Sequence, residues 1–593
     1  MLKQECGWLA GGCARRGSVF VFVLYIYFLI SLIWANFTKI TNTNMKVIEQ
    51  SHVAPPPSSL PSPTTLPHTV FDNTWFYCRY PAKRIFFYHF PHPTHHFLQT
   101  TLPILKHSLS LTLQHFFPFS SNLIIPSDSQ TEPYIRYLDT DSLCFTVAES
   151  SADFNLLISD SQDAKIWHSL VPNLPPPSTE QNNTQVIPIM AIQITIMPNS
   201  GLSICLAFKH VAADGKSLHH FMKFWASVSK NRANNKNNSS LEHSLPLDLP
   251  SHERHTILNA PKDPKIIYLQ ETQDYVLEKV EFADLIPDVY PKNVRTCLVL
   301  SHEQIQKLKK WIVDKCIETT QYISTFVVTC SLIWCCMVKS EQSDQGDVVD
   351  DLCNFLFFAD CRGRPEFSLS KTYFGNCLAS YIVVVKRDEL VGNNGIVVAA
   401  NGIDRKIRDF KSDEALGSET LMLDYRELFI PGKSILVVAG SPKHAVYETD
   451  FGWGKPKKSD KVHHVSCTIS LSDCRVGGSG IEIGLALERS RMANFMNIFQ
   501  EQLDNICSMD LTKPGTSLVV VAGSPKFAVY ETDFGWGKPK KSDTVHLDSS
   551  GSISLSDCRD GGNGIEIGLA LERSRMANFI NIFQEQLDNI CSL

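Results

Sequence analysis

Neither sign of charge dominates this chain. Its 593 residues carry 55 Lys and Arg against 61 Asp and Glu, a formal net charge of −6. That balance excludes a protein that coats nucleic acid, and a charged fraction of 20% excludes a disordered acidic tail. No G-x-x-x-x-G-K-[ST] sequence occurs and no G-x-G-x-x-G opens a helix, so neither a phosphate loop nor a dinucleotide fingerprint is expected. A zinc site is missing too. His92, His95 and His96 cluster, but Pro91 and Pro93 interrupt them and no Cys or carboxylate completes the spacing. The 18 Cys do not form a disulfide framework: Cys330, Cys335 and Cys336 lie inside an apolar run, as buried reduced thiols do. What the chain has is apolar bulk, 43% hydrophobic and 10% aromatic, enough for a large core. At ~150 residues per domain the length predicts roughly three to four domain-sized units.

Residues 17–38 are uncharged, with Arg15 and Arg16 before them and Lys39 after. A run this long can cross a bilayer as a signal-anchor. Sequons at Asn182, Asn237 and Asn238 fit a luminal location, although such triplets are common by chance. The alternative is that residues 1–44 are upstream sequence attached to a soluble enzyme. Met45 is a second start and opens the first strand-like stretch. The second reading is preferred.

Residues 51–67 are rich in Pro and Ser and predict an extended surface segment. The aromatics from Thr69 to Tyr88 predict strands feeding a core. Helical spacing marks 97–115, and the runs 185–197 and 202–209 form a hairpin about Pro198–Gly201. Residues 229–260 are polar and contain Pro246 and Pro250, which predicts an exposed linker between residues 45–228 and 261–508. In the second part, Ser301 and Gln304 have capping-box spacing. Residues 324–338 are apolar all round but too short to span a membrane, so a buried helix is expected. Gly477–Gly480 reads as a hairpin turn, and Ser490 caps a last amphipathic helix.

The chain then repeats itself. Residues 435–460 return almost letter for letter at 518–543, and 470–508 return at 554–592. Two long, nearly identical units are not a solenoid. A recent duplication of the C-terminal segment is the simpler reading, with 435–508 docked in the core and 509–593 dispensable.

Two constellations could carry chemistry. In Phe208-Lys209-His210-Val211-Ala212-Ala213-Asp214-Gly215 a histidine ends an apolar strand just before a glycine turn, which can present an imidazole to a cleft. His68 and Asp72 share the H-x-x-x-D spacing, but they sit beside the Pro-rich segment and read as chance. The second constellation is Asp450-Phe451-Gly452-Trp453-Gly454-Lys455-Pro456, which taken alone reads more simply as a packed loop, since it holds no nucleophile or acid–base pair. Together, and 240 residues apart, they resemble the plant BAHD acyl-CoA-dependent acyltransferases. The resemblance covers Met45 to about Ser508, 464 residues, and residues 46–57 look like that family's N-terminus. Tyr373-Phe374-Gly375-Asn376-Cys377 resembles the branch that acylates anthocyanins and phenolic glycosides, often with malonyl-CoA.

The resemblance implies an α/β fold of mixed sheets and helices, in two chloramphenicol-acetyltransferase-like domains with His210 in a channel between them. It implies acyl-CoA, malonyl-CoA by preference, as co-substrate, a phenolic or flavonoid glycoside as acceptor, and no bound cofactor. A neutral imidazole at His210 suits a general base. Trp453 is the candidate oxyanion donor. Asp214 is expected in a structural ion pair with Arg362 or Arg364, and Asp450–Pro456 and Tyr373–Asn376 are candidate substrate, CoA or structural loops. A cytoplasmic monomer is expected, touching a membrane only if residues 17–38 are an anchor. Two alternatives stay open: a hydroxycinnamoyl donor, and an inactive membrane-anchored binding protein.

Overall fold

A computed structural model describes residues 45–72, 75, 81–128, 131–234, 248–258, 293–315, 323–341, 351–412, 433–462 and 467–508. Beyond these it describes 520–522, 529–533, 537–540, 550–558, 565–571, 576, 579–584 and 587. The apolar run 17–38 and Trp536 lie outside the described residues. Among the described residues no helix is long and apolar enough to cross a membrane.

The fold is mixed α/β. Two large sheets organise residues 45–503. The first runs Met45–Val53, Leu143–Ser150, Met190–Met197, Gly201–Phe208, Ala82–His89 and Lys458–Lys461 in spatial order. Its central strands Met190–Met197 and Gly201–Phe208 are buried at every position. Strands covered on both faces read as continuous apolar runs, which is why MAIQITIM and GLSICLAF lack polar alternation. They pair antiparallel about the turn at Pro198–Ser200. Helices Leu102–Leu113 and Gly215–Asn234 pack on each other, and the Trp225 indole N–H donates to Leu105 O and Ser108 Oγ, both at 3.2 Å.

The second sheet runs Leu378–Lys386, Leu352–Asp360, Ser434–Ala439, Thr468–Asp473, Ile481–Glu488, Asn293–Leu300 and Ser161–Asp163. Ser301 and Gln304 form the reciprocal cap, with each backbone N–H donating to the other's side chain (2.9 and 3.1 Å). Helix Thr325–Lys339, capped by Ser324, is buried from Val327 to Val338.

Each sheet ends in a strand from the other half of the sequence. Lys458–Lys461 adds to the first sheet against Ala82–His89, and Ser161–Asp163 adds to the second against Asn293–Leu300. Ion pairs accompany the exchange, and Arg295–Asp460 is buried at both partners. Arg295 pairs with Asp460 and stacks 3.6 Å over the Trp167 ring, and Arg475 binds both Glu482 and Asp160 (2.6 and 2.8 Å). A Cβ at Gly484 would overlap the Asp460 carboxylate, so glycine is required there.

Two sequence expectations differ from the structure. Among the described residues of Thr69–Tyr88 there is one strand, Ala82–His89, and a short 3₁₀ turn at Val70–Asp72; residues 73–74 and 76–80 lie outside the described residues. The expected linker 229–260 is no free connection at either end. Helix Gly215–Asn234 runs into it, and within 248–258 Arg254 is 2% exposed and Ile257 is buried. Arg254 is held there because Asp72 waits for it in the core, and an unpaired charge could not be buried.

Residues 504–593 form a second compact unit. Its strands Val520–Ala522, Ser550–Asp557 and Ile565–Leu571 make a three-stranded sheet of their own. The two copies share local contacts. Val446 N–H donates to Asp473 at 2.6 Å and Val529 N–H to Asp557 at 2.7 Å. Tyr447 O–H donates to Glu482 and Tyr530 O–H to Glu566, both at 2.7 Å. Strands Ser434–Ala439, Thr468–Asp473 and Ile481–Glu488 of the first copy are interior members of the seven-stranded sheet, whereas the described strands of the second copy pair with one another. Truncation is tolerated where little burial or pairing is lost. We therefore expect a chain of residues 45–508 to fold alone and to melt cooperatively within a few degrees of the full-length protein. A truncated protein that aggregates would assign the second copy a part in stability.

Candidate active site

Strand Gly201–Phe208 delivers His210 to the junction of the two sheets. The chain turns there through a short 3₁₀ segment, His210–Ala212, and Lys209 N–H donates to Ile189 O at 2.8 Å. Asp214 then starts helix Gly215–Asn234. Its carboxylate accepts from Ser217 N–H at 3.0 Å and its carbonyl from Leu218 N–H at 3.0 Å, the pattern of an N-cap.

The imidazole of His210 is half-buried. Trp75 stacks on it with ring centroids 3.6 Å apart and planes at 19°, and Phe208 lies at 5.9 Å. Burial pushes its pKa down to about 4; Asp214 opposes that shift and Lys461 adds to it. The ring is therefore neutral at pH 7. Nδ1 is buried and meets no hydrogen-bond partner.

Asp214 is fully buried, and its oxygens are taken by groups other than the imidazole. Arg362 pairs with it at 2.8 Å, and Cys377 N–H donates to it at 3.2 Å. Arg362 also donates to Tyr373 O (3.1 Å), Gly375 O (2.9 Å), Ser217 Oγ (3.2 Å) and Asp360 (2.9 Å). Burial opposes its charge, but Asp214 and Asp360 outweigh burial and its pKa rises. Arg364 is elsewhere: it donates to Phe410 O at 3.0 Å and lies over the Phe410 ring.

The loop Tyr373–Cys377 plugs the first sheet's core from the other half. Phe374 is fully buried against Phe116 and Phe119, with ring centroids at 5.6 and 5.1 Å. Segment 248–258 clamps it, with Phe374 N–H donating to Ser251 O at 2.8 Å. Asn376 is fully buried and its carboxamide reaches the His210 carbonyl at 2.9 Å.

The structure does not bring the loop Asp450–Pro456 to the imidazole. Asp450 closes the loop on itself, accepting from Gly452 and Gly454 N–H (2.8 and 2.9 Å) and pairing with Lys230 at 2.7 Å. Both glycines have positive φ, +103° and +92°, which a side chain would strain. Burial raises the Asp450 pKa, but Lys230 and the two amides outweigh it and the net shift is downward. Phe451 packs on Trp225 (4.9 Å) and Trp453 on Phe451, Tyr88 and Phe90 (5.4, 5.7 and 5.7 Å). Lys455 is exposed beside Glu448, and Pro456 is buried. The geometry gives the Trp453 indole a packing role.

Three residues near the site carried no usable signal in the sequence. Trp75 was one aromatic among many. Asp72 belonged to the H-x-x-x-D match read as chance, yet it is 1% exposed and bonded to Asn376 at 2.9 Å. Arg254, its ion-pair partner at 2.9 Å, fell in the expected linker.

A family model described as "Transferase family" matches residues 43–502 and again 496–586. The chain is 38% identical over 468 residues to a coumaroyl-CoA:anthocyanidin 3-O-glucoside-6''-O-coumaroyltransferase of Arabidopsis thaliana, covering 77% of this chain and 97% of that protein. It is 33% identical over 472 residues to a malonyl-coenzyme A:anthocyanin 3-O-glucoside-6''-O-malonyltransferase of Dahlia pinnata, covering 78% and 98%. Among solved structures, vinorine synthase shares the fold with a TM-score of 0.55 at 19% identity, covering 76% of this chain and 96% of that one.

Proposed function

The chain belongs to the Transferase family, the BAHD acyl-CoA-dependent acyltransferases, and on that premise we propose that it moves an acyl group, malonyl by preference, from CoA to a hydroxyl of a phenolic or flavonoid glycoside. The observation that carries the mechanism is the neutral imidazole of His210, backed by Trp75 at the junction of the two sheets. Its Nε2 takes the proton from the acceptor hydroxyl as that oxygen attacks the thioester carbonyl. The tetrahedral intermediate collapses, the C–S bond breaks, and the CoA thiolate leaves with the proton returned by His210. Two substrates meet directly, and no acyl-enzyme is formed. The same reading places the enzyme in the cytoplasm, where CoA thioesters are made, as a monomer acting on small molecules.

The malonyl preference is supported by Tyr373–Cys377 and by the malonyltransferase relative at 33% identity. A hydroxycinnamoyl donor is the second reading, favoured by the higher identity, 38%, of the coumaroyltransferase relative. A donor panel decides. With one anthocyanidin glucoside as acceptor, malonyl-CoA is expected to give a kcat/KM about tenfold or more above acetyl-CoA and coumaroyl-CoA, since one charge-assisted contact to the terminal carboxylate is worth that much. A coumaroyl-CoA preference selects the second reading, and equal use of malonyl- and acetyl-CoA shows that no cation reads the carboxylate.

A further inference from the structure

The Trp75 indole lies flat on the His210 imidazole, with ring centroids 3.6 Å apart and planes at 19°. Pairs that only fill the core look different. Phe119–Phe374 and Trp225–Phe451 have centroids 5.1 and 4.9 Å apart and planes at 83° and 85°. Those values are the edge-to-face geometry, at ~4.5–7 Å, usual for packed rings. At 3.6 Å one face of the imidazole is in van der Waals contact across its width, which leaves no room for water on that side. His210 Nδ1 is buried as well, so the ring meets a hydroxyl only through Nε2.

The indole is itself held from both halves of the sequence. Phe358, half-buried on strand Leu352–Asp360 of the second sheet, meets it at 5.2 Å with planes at 39°. Trp75 also packs on the core that contains Phe208 and Ala212. Three residues before it the chain is pinned: Asp72 accepts from Thr69 N–H and O–H, both at 2.9 Å, and pairs with Arg254 at 2.9 Å.

We propose that Trp75 is a positioning residue for His210: its indole, seated by Phe358, holds the imidazole plane so that Nε2 faces the acceptor hydroxyl, and keeps water off the ring. This rests on His210 being the base. The charges that act on the imidazole are Asp214, which raises its proton affinity, and Lys461, which lowers it. Asp360, two residues beyond Phe358, is taken up by Lys216 and Arg362, and Asp72 by Arg254. Burial is the largest influence, and it holds the pKa at about 4. An indole face also attracts an imidazolium, but burial outweighs that attraction here. Removing the indole therefore moves the pKa up, toward the ordinary histidine range.

The test compares Trp75→Phe, Trp75→Leu, Trp75→Ala and His210→Ala in the full chain, reading kcat, the KM for acyl-CoA, the pH profile of kcat/KM and the melting temperature. Phenylalanine keeps a flat face, leucine keeps apolar bulk without one, and alanine keeps neither. We expect kcat within about threefold of wild type for phenylalanine, about tenfold lower for leucine and about 10- to 100-fold lower for alanine. The KM for acyl-CoA stays within about twofold throughout, because the base is misaligned while the CoA contacts remain. The acidic limb of kcat/KM stays near pH 4 for phenylalanine and rises by about one unit or more for alanine, as water reaches the ring. Adding Phe358→Ala to Trp75→Ala costs no more than about twofold further, since Phe358 acts through the indole. Wild-type kcat in the leucine variant overturns the proposal, as does an unmoved limb in the alanine variant. So does a loss of kcat that follows melting temperature in all three, phenylalanine included, which would make Trp75 merely structural. If alanine does not fold, the phenylalanine and leucine variants decide. High turnover in His210→Ala would instead sink the base assignment itself.

Discussion

His210→Ala lowers kcat by roughly 10²–10⁴-fold, the usual worth of a positioned base, while CoA binding stays within about twofold of wild type. The reason is local. A neutral imidazole sits against Trp75, and burial has driven its pKa down to about 4. Above that pH the ring is a free base and needs no activation. Below it the ring is protonated and cannot accept the hydroxyl's proton. The wild-type kcat/KM profile should therefore hold flat from pH 7 down to about 5 and fall only as pH approaches 4, well under the ordinary histidine range. Thioester-release kinetics between pH 4 and 8 check the limb, and calorimetry with CoA checks the binding. A variant with near-wild-type turnover removes His210 from the chemistry, and a limb near 6.5 means the ring is wetter than its packing implies.

What was legible in the sequence was what depends on near neighbours. The Ser301–Gln304 cap is a three-residue relation, and both hydrogen bonds form. Helix Thr325–Lys339 and the strands Met190–Met197 and Gly201–Phe208 announced themselves through unbroken apolar runs. The duplicate was plain by inspection, because identical letters produce identical local contacts, as Asp473 and Asp557 illustrate. The exchange of edge strands was not legible. Lys458–Lys461 is a charged tetrapeptide with no strand pattern, and it pairs only because Ala82–His89 presents an open edge to it. The support behind His210 was illegible for the same reason. Asp72 and Arg254 are 182 residues apart, and each has a bland local context: a chance-looking spacing and a polar stretch. At Asp450–Pro456 the contacts match the packed-loop reading: the glycines serve the turn that Asp450 closes, and the Trp453 ring packs against Tyr88 and Phe90.

Asp214→Ala costs about 3–5 kcal/mol of stability, because it strips a fully buried guanidinium of its closest counter-charge. Two features set where in that range it falls. Arg362 keeps Asp360 and three neutral acceptors, Tyr373 O, Gly375 O and Ser217 Oγ, which favours the lower end. The helix Gly215–Asn234 also loses its N-cap, worth about 1 kcal/mol, which adds to it. For a unit of this size the melting temperature should drop by about 3–5 °C. Activity falls as well, because Arg362 and Ser217 both bond the Gly375 backbone and so hold the turn that carries Asn376 to His210. Asp214→Asn separates the contributions: it keeps the cap and the shape and loses only the charge, so it should be the milder variant. Arg362→Ala and the double variant complete a cycle, and the two single losses should add to more than the double loss, the signature of a shared contact. If Asp214→Asn is as stable as wild type but shifts the acidic limb of kcat/KM, the carboxylate acts on the imidazole directly and the ion pair with Arg362 is incidental.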